Sequence, residues 1–451
     1  MQIPKKIQPS TILPGASSPI GVLCGNCGAV VSTSTTIGRG CVIGAQSAIG
    51  NSATKCDCRL GHYITVEPAT VVEAEEIMMS EKDPETGSLP THSFKKVAWC
   101  NRKKFSLERY YKFLQPSLET GHLTNDGPLQ RVLKEKVANL VRSSRTVNLT
   151  SNGTSALHAL VAGHELRRGR HLKWVTQAFT FPSSIQGPLA DALVCDIDAK
   201  YRGPCMKFLQ HHAEEYDGVI VTNVFGLQAE ILVYEQFCIA SNKLLIFDNA
   251  ATPLGFTDDG RSIHDIGDGS FISFHETKPY GRGEGGAVFA SREMSPFVHK
   301  AMNFGFDIPN QIRIPNRYSS NWRMSDFAAA AICDHLDTVV NDKWEEKLNA
   351  FASFIVQELD KRGYSMAFPV RFPTILSGVF VDLKQQHGSA VSRLFNANGF
   401  EAKQYYCPLV DRTKAPEAWK LFDRTVLLPF HEGISSEAML NMLDHLPKMK
   451  K

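Results

Sequence analysis

The stretch FISFHETKPYGRGEGGAVFA, residues 271–290, holds two short apolar runs around a glycine-rich loop that carries one lysine, Lys278. Phe271-Ile272-Ser273-Phe274 and Ala287-Val288-Phe289-Ala290 are too short for helices and too continuously apolar for half-exposed strands. Both are expected to be strands covered on both faces. Towards the N-terminus, Leu244-Leu245-Ile246-Phe247, Val219-Ile220-Val221 and Ala192-Leu193-Val194-Cys195 have the same character. Helical patterning falls between such runs, at 155–168 and 232–241. Buried strands alternating with helices predict an α/β fold, a mostly parallel sheet in a three-layer sandwich.

The chain has 451 residues, more than one simple core ordinarily holds. Four segments are expected: a β-rich extension over 1–80, a linker over 81–99, a large domain over 100–340 and a smaller C-terminal α+β domain over 341–451. Asp83-Pro84-Glu85-Thr86-Gly87 marks the linker. Residues 341–362 place Trp344, Leu348, Phe351, Ile355 and Leu359 on one helical stripe that Gly363 ends, and a last helix is expected over 435–446. In the extension Val31, Ile37, Ile43 and Ile49 recur at a six-residue period, and the last three each precede a glycine. That period predicts a short left-handed parallel β-helix and resembles the hexapeptide-repeat acyltransferases. His62 is then either a general base or a structural residue. Cys24-x-x-Cys27 with Cys56-x-Cys58 offers a rival zinc reading, although the second pair is short for a zinc ribbon; otherwise these cysteines pack inside the coils.

Composition narrows the partners. Lys and Arg number 49 against 46 Asp and Glu, and no basic run exists beyond Lys448, Lys450 and Lys451, so no nucleic acid is expected. Residues 1–14 contain two lysines and no apolar core, so a secretory signal is not expected. No stretch reaches about 18 uninterrupted apolar residues, so no membrane span is expected. Most cysteines from Cys100 onward sit in apolar runs such as Phe237-Cys238-Ile239, the pattern of buried free thiols in a reducing compartment, by default the cytoplasm.

In open α/β sheets, ligands gather beyond the C-terminal ends of the strands. Asp248 directly follows one apolar run, Ser273 lies near the end of another, and Lys278 comes a few residues later. Ser151-Asn152-Gly153-Thr154-Ser155 opens a helix, where backbone N–H groups, hydroxyls and the positive dipole end suit a phosphate. A lysine beside Gly281, Gly283, Gly285 and Gly286 can approach a carbonyl closely. A carboxylate at a strand end can hold a pyridinium nitrogen protonated. Taken singly, these are a helix cap, a turn residue and a solvated lysine. Taken together in one crevice, they are the parts of a pyridoxal 5′-phosphate site, with no metal.

These residues also carry a resemblance. Ser273-Phe274-His275-Glu276-Thr277-Lys278, followed by Gly283-Glu284-Gly285-Gly286, resembles the Schiff-base lysine motif of the DegT/DnrJ/EryC1/StrS family of sugar aminotransferases. In order along residues 100–448, further segments are similar to the family's landmarks: Leu123-Thr124-Asn125 with Gly127-Pro128, Asn152-Gly153-Thr154-Ser155-Ala156-Leu157, Phe179-Thr180-Phe181, Phe247-Asp248-Asn249-Ala250-Ala251, Asn321-Trp322-Arg323-Met324-Ser325 and Leu427-Leu428-Pro429. The resemblance implies an aspartate-aminotransferase-like (fold type I) transferase. Lys278 would hold the cofactor covalently and shuttle a proton, and Asp248 would face the pyridine nitrogen. Phe181 would stack on the ring, and Thr154, Ser155 and Ser273 would hold the phosphate. Asn321 would reach the phosphate of a partner subunit, implying a homodimer with shared active sites. Glu284 would shape the loop. One departure stands out: Ala251 replaces the family's usual Gln or His, Gly255 comes one residue late, and Thr252 is the candidate substitute contact.

The resemblance therefore implies an aminotransferase that converts a nucleotide-linked keto-sugar to an amino sugar with glutamate as donor. The N-terminal extension would acetylate the product. The alternatives are a non-catalytic regulatory or sensor protein and another pyridoxal-phosphate reaction such as sugar dehydration. Family members that dehydrate replace the lysine by histidine, so Lys278 favours transamination. Substrate choice is expected to rest on loops around Tyr405 and Tyr406.

Overall fold

The computed structural model describes residues 97–307, 312–313, 319–384 and 386–447 apart from 102 and 104, and the backbone of nine two-residue strands between 23 and 72. The chain divides into two compact units, Met1–Lys95 and Lys96–Lys451. In the first unit the nine strands form three parallel three-stranded sheets, each strand pairing with the one three places further on. Val30 lies beside Ala48 and Ala48 beside Thr65, and the other two sheets repeat this arrangement. The zinc reading of Cys24, Cys27, Cys56 and Cys58, the role of His62 and the packing of the six-residue repeat lie outside the described residues.

The second unit is built on a seven-stranded sheet: β1 (Thr146–Thr150), β2 (Trp174–Gln177), β3 (Leu193–Cys195), β4 (Gly218–Thr222), β5 (Leu244–Asp248), β6 (Gly269–Ser273) and β7 (Gly286–Ala290). The spatial order is β1-β7-β6-β5-β4-β2-β3. Only β7 runs antiparallel to its neighbours; the other pairings are parallel. Every residue of β4 to β7 is buried, as their unbroken apolar runs predict. β1 and β2 were not anticipated, because Thr146, Asn148, Thr150, Thr176 and Gln177 interrupt the apolar pattern. Buried Gln177 takes part in the interior: its amide donates to Phe179 O at 3.0 Å and its Oε1 accepts from the Thr222 N–H at 3.1 Å.

Three helices set up the site: α1 (Leu107–Thr120), α2 (Pro128–Val141) and α3 (Gly153–Arg168). Helix α3 packs on β6 and β7 with Ala156, Leu157, Ala159, Leu160 and Val161 fully buried. It begins two residues earlier than its apolar pattern, because Asn152 Oδ1 accepts from the Ser155 N–H at 2.8 Å and caps it; such a cap contributes about 1 kcal/mol. Helices α1 and α2 pack on the helix Asp326–Asn341. There the buried Asp326 carboxylate accepts from Ser117 Oγ at 2.5 Å and from the Leu129 N–H at 3.1 Å, anchoring the start of α2.

The helix expected over 341–362 starts instead at Trp344, as Trp344–Lys361, after the preceding helix ends at Asn341. It buries Trp344, Leu348, Ile355 and Leu359, Phe351 stacks on Phe430 at 5.6 Å, and Gly363 follows at φ +76°. Beyond it lies the antiparallel sheet β8 (Ser365–Met366), β9 (Val379–Asp382) and β10 (Thr425–Leu428). Contacts that join this part to the region beyond β2 include Phe380 stacked on Phe179 at 5.9 Å and the Leu409 N–H donating to Ala178 O at 2.9 Å. Among the described residues no helix is long and apolar enough to cross a membrane.

Candidate active site

One edge of the large sheet collects the ends of several strands. Thr150 and Ser273 both pair with Gly286, and Thr222 pairs with Asp248, so β1, β4, β5 and β6 finish where β7 begins. A Cβ on Gly286 would lie 2.4 Å from Asn152 O and 2.6 Å from Thr150 Oγ1, so only glycine lets the start of α3 sit directly on the sheet. The seat is close: a Cβ on Gly153 would lie 2.8 Å from Ser273 Cβ. Ser273 therefore stands beside the first turn of α3. The first-turn N–H groups of Gly153 and Thr154 have no intrahelical acceptor. Ser155 Oγ lies 3.1 Å from Ser151 Oγ, and Ser273 Oγ accepts from the His275 N–H at 3.2 Å. Hydroxyls and backbone donors thus converge at a positive helix end, a cradle for a phosphate.

Asp248 is buried at the end of β5. Its Oδ1 accepts from the Ala250 N–H at 3.0 Å, and Thr222 Oγ1 lies 3.5 Å from Oδ2. Burial pushes its carboxyl up to about 6, against the opposing pull of the Ala250 N–H and of Lys278. For Lys278 burial is again the largest influence and lowers the ammonium, while Asp248 acts the other way. The two groups therefore lie in one another's field. A lysine biased towards its neutral amine can attack a carbonyl, and a carboxylate short of positive charge favours a cationic ring nitrogen.

Lys278 stands in the loop of the β6–β7 hairpin. Main-chain bonds from the Phe274 N–H to Gly285 O and from the Glu276 N–H to Gly283 O, both 2.8 Å, continue the ladder beyond the strands. The turn closes with the Lys278 N–H on His275 O at 2.8 Å and the Gly281 N–H on Lys278 O at 2.9 Å. A Cβ on Gly281 would fall 2.0 Å from His275 O, so this closure requires glycine. Glu284 lies at the exposed rim, 3.5 Å from His275 Nε2.

Phe181 is 53% exposed, with its ring 6.2 Å from that of Tyr406. Tyr406 stacks on Phe225 at 5.0 Å, and burial and the nearby Asp248 both raise its phenol. These rings form one aromatic cluster that reaches Asp248 through Tyr406. Asn321 is exposed, and its Oδ1 accepts from Arg323 Nε at 2.9 Å; Arg323 also bonds to Asn125, joining two segments far apart in sequence. The neighbouring Trp322 O accepts from the Ser151 N–H at 2.8 Å, tying this segment to the phosphate cradle. The fold thus brings Lys278, Asp248, Thr154, Ser155 and Ser273 to one end of the sheet and leaves Phe181 and Asn321 exposed.

Thr252 does not take the place left by Ala251. Its hydroxyl donates to Asn223 O at 3.0 Å and accepts from the Gly226 N–H at 3.1 Å, so its proton is used inside the core. Lys103 went unnoticed in the sequence although it bonds the Lys278 loop directly, because its partners are backbone carbonyls, which no motif records. Cys195, Cys238 and Cys333 are buried free thiols, as expected, whereas Cys407 is exposed. Among the described residues no group of three or more His, Cys, Asp or Glu could hold a metal.

Hydroxyls and N–H groups suited to a phosphate, an amine able to condense with an aldehyde and a buried carboxylate suited to a ring nitrogen fit pyridoxal phosphate, and they define the class as a pyridoxal-phosphate-dependent transferase. Comparison with known proteins is more specific. The DegT/DnrJ/EryC1/StrS aminotransferase family model matches residues 107–446, and the chain belongs to that family; it is a pyridoxal-phosphate-dependent transaminase. A dTDP-4-amino-4,6-dideoxy-D-glucose transaminase of Shigella dysenteriae is 24% identical over 370 residues, spanning 76% of this chain and 96% of that one. The structure of DesI, solved with its TDP-sugar product, superposes with a TM-score of 0.66 at 21% identity over 78% of this chain and 92% of that one. That of 3-amino-5-hydroxybenzoic acid synthase superposes at 0.63 with 16% identity, over 78% and 98%. At these identities the structural likenesses establish the fold.

Proposed function

We propose that this transaminase converts a nucleotide-linked keto-sugar to an amino sugar, with glutamate as the amino donor. What carries the chemistry is that buried Asp248 and Lys278 lie in one another's electrostatic field, at the end of the sheet where Ser273 meets the start of α3. The substrate class is supported by the relative of 24% identity, itself a nucleotide-sugar transaminase by name. Pyridoxal phosphate, when bound, supplies the electron sink that labilises the bonds of the amino carbon. Lys278 Nζ would be the covalent anchor and, once displaced by the incoming amine, would carry a proton between the substrate carbon and the cofactor's C4′. The Asp248 carboxylate keeps the ring nitrogen protonated. Thr154, Ser155, Ser273 and the α3 N-terminus bind the phosphate, and Phe181 covers the ring.

Exposed Asn321 completes the site of a second copy, so the working unit is a homodimer with a large domain over 100–340 and a small domain over 341–451. The nine strands between 23 and 72, pairing three places apart, are read as coils of a short left-handed β-helix of the hexapeptide-repeat kind. In this reading it acts on the amino-sugar product.

The test is a visible spectrum of purified protein with pyridoxal phosphate, before and after glutamate, beside Lys278→Ala. A band that glutamate bleaches and the variant never forms is expected, followed by recovery of the band on adding nucleotide-linked keto-sugars. A band insensitive to glutamate refutes the donor. Bleaching without recovery on any keto-sugar refutes the acceptor class.

A further inference from the structure

Lys103, just outside the first helix of the second unit, belongs to none of the motifs above. Its Nζ donates to Glu276 O at 2.7 Å, to Lys278 O at 2.7 Å and to Gly281 O. These three carbonyls lie in the loop that carries Lys278, and one belongs to Lys278 itself. An ammonium has three N–H groups, and here all three are used on one loop. The loop reciprocates: Arg282 Nη1 donates to Lys103 O at 2.7 Å, and the Arg282 guanidinium lies over the Phe105 ring at 5.0 Å. Within the loop, Glu276 Oε2 accepts from the Gly283 N–H at 2.7 Å.

We propose that Lys103 is a positioning residue, a tethered cation that gathers three carbonyls of the 276–281 turn and so sets where the Lys278 amine points. Carbonyl oxygens turned towards a common centre repel one another unless a cation or donor fills it. Without the ammonium, the turn must open to pair those oxygens with water. Lys278 leaves this turn, so opening it moves the amine relative to the phosphate cradle and Asp248, which stand on separate strands. Misplacement of a reacting group by about 1 Å can cost roughly a hundredfold in rate. The proposal rests on Lys278 being the covalent anchor, and the experiment keeps the two apart.

Lys103→Met retains length and apolar stem but removes all three donors; Lys103→Arg retains the charge on a planar fork that cannot reproduce the ammonium's three directions. Hydrogen exchange by mass spectrometry on cofactor-free protein reads the loop alone. Pyridoxal phosphate is then added, and borohydride fixes whatever fraction is joined to Lys278 at successive times. For Lys103→Met, faster exchange over 274–285 with other peptides unchanged is expected. Total bound cofactor should stay near wild type, and joining to Lys278 should slow by about a hundredfold. Lys103→Arg should lie between. Wild-type exchange and joining rates in Lys103→Met would overturn the proposal. If Lys103→Met does not fold, wild-type behaviour of folded Lys103→Arg would do the same. If the wild type itself fixes no cofactor at Lys278, the anchor assignment falls, while the exchange result still decides whether Lys103 holds the loop.

Discussion

Replacing Asp248 by asparagine should stabilise the cofactor-free protein at neutral and alkaline pH while removing its hold on the ring nitrogen. The carboxyl is buried, and burial pushes it from 3.8 up to about 6. Between those values the folded chain holds a proton that the unfolded chain has released, so this group's contribution to stability falls as pH rises from about 4 through 6 and is level above. A shift of roughly two units corresponds to about 3 kcal/mol at the plateau. Asparagine has the same shape and nothing to titrate. Its Oδ1 can still accept from the Ala250 N–H and its amide can donate to Thr222 Oγ1, so no new unsatisfied group arises. Urea unfolding of both cofactor-free proteins, followed by tryptophan fluorescence, should find the variant more stable. The advantage should grow by about 1.5 kcal/mol between about pH 5 and pH 8. Added pyridoxal phosphate should narrow the gap, because its pyridinium gives the wild-type carboxylate a counter-charge. An advantage that does not change with pH, or a wild type more stable at both values, would refute the view that the Asp248 charge is held there at the expense of stability.

Three further outcomes follow from the site. Ser273→Ala and Thr154→Ala should each weaken cofactor retention on dialysis by about ten- to a hundredfold, since each removes a hydrogen bond to a charged phosphate worth about 1.5–3 kcal/mol; unchanged retention would place the phosphate elsewhere. Gly281→Ala sets a Cβ where His275 O now stands, 2.0 Å away, and should abolish joining of the cofactor to Lys278 while leaving the melting temperature of the rest nearly unchanged. Chains carrying Lys278→Ala, inactive alone, should regain activity when unfolded and refolded together with chains carrying Asn321→Ala. Each mixed dimer then holds one site with both native residues; no recovery would mean that Asn321 serves its own chain.

The sequence alone determined the character of the fold and singled out the residues proposed for the site. Continuous apolar runs declare strands β4 to β7 because a strand covered on both faces disfavours a polar side chain that has no partner. Asp248, Lys278 and the turn at Gly153-Thr154-Ser155 could be singled out because polar residues at strand ends and helix starts stand out from the local pattern. Strands β1 and β2 were not legible, since Asn148 and Gln177 are polar residues whose oxygens accept in the interior from Ser295 Oγ and the Thr222 N–H, both far away in the chain. Thr252 looked available for the cofactor until its neighbours Asn223 and Gly226 were seen to use its hydroxyl. Lys103 joined the site only through folding, since it bonds carbonyls more than 170 residues away, and Tyr406, expected near the substrate, was not expected within reach of Asp248. Side-chain identity and period can be read along the chain, because they are local. Which hydroxyl is already engaged, which carbonyls surround an ammonium and which rings form one cluster depend on contacts between distant segments, and only the tertiary structure decides them.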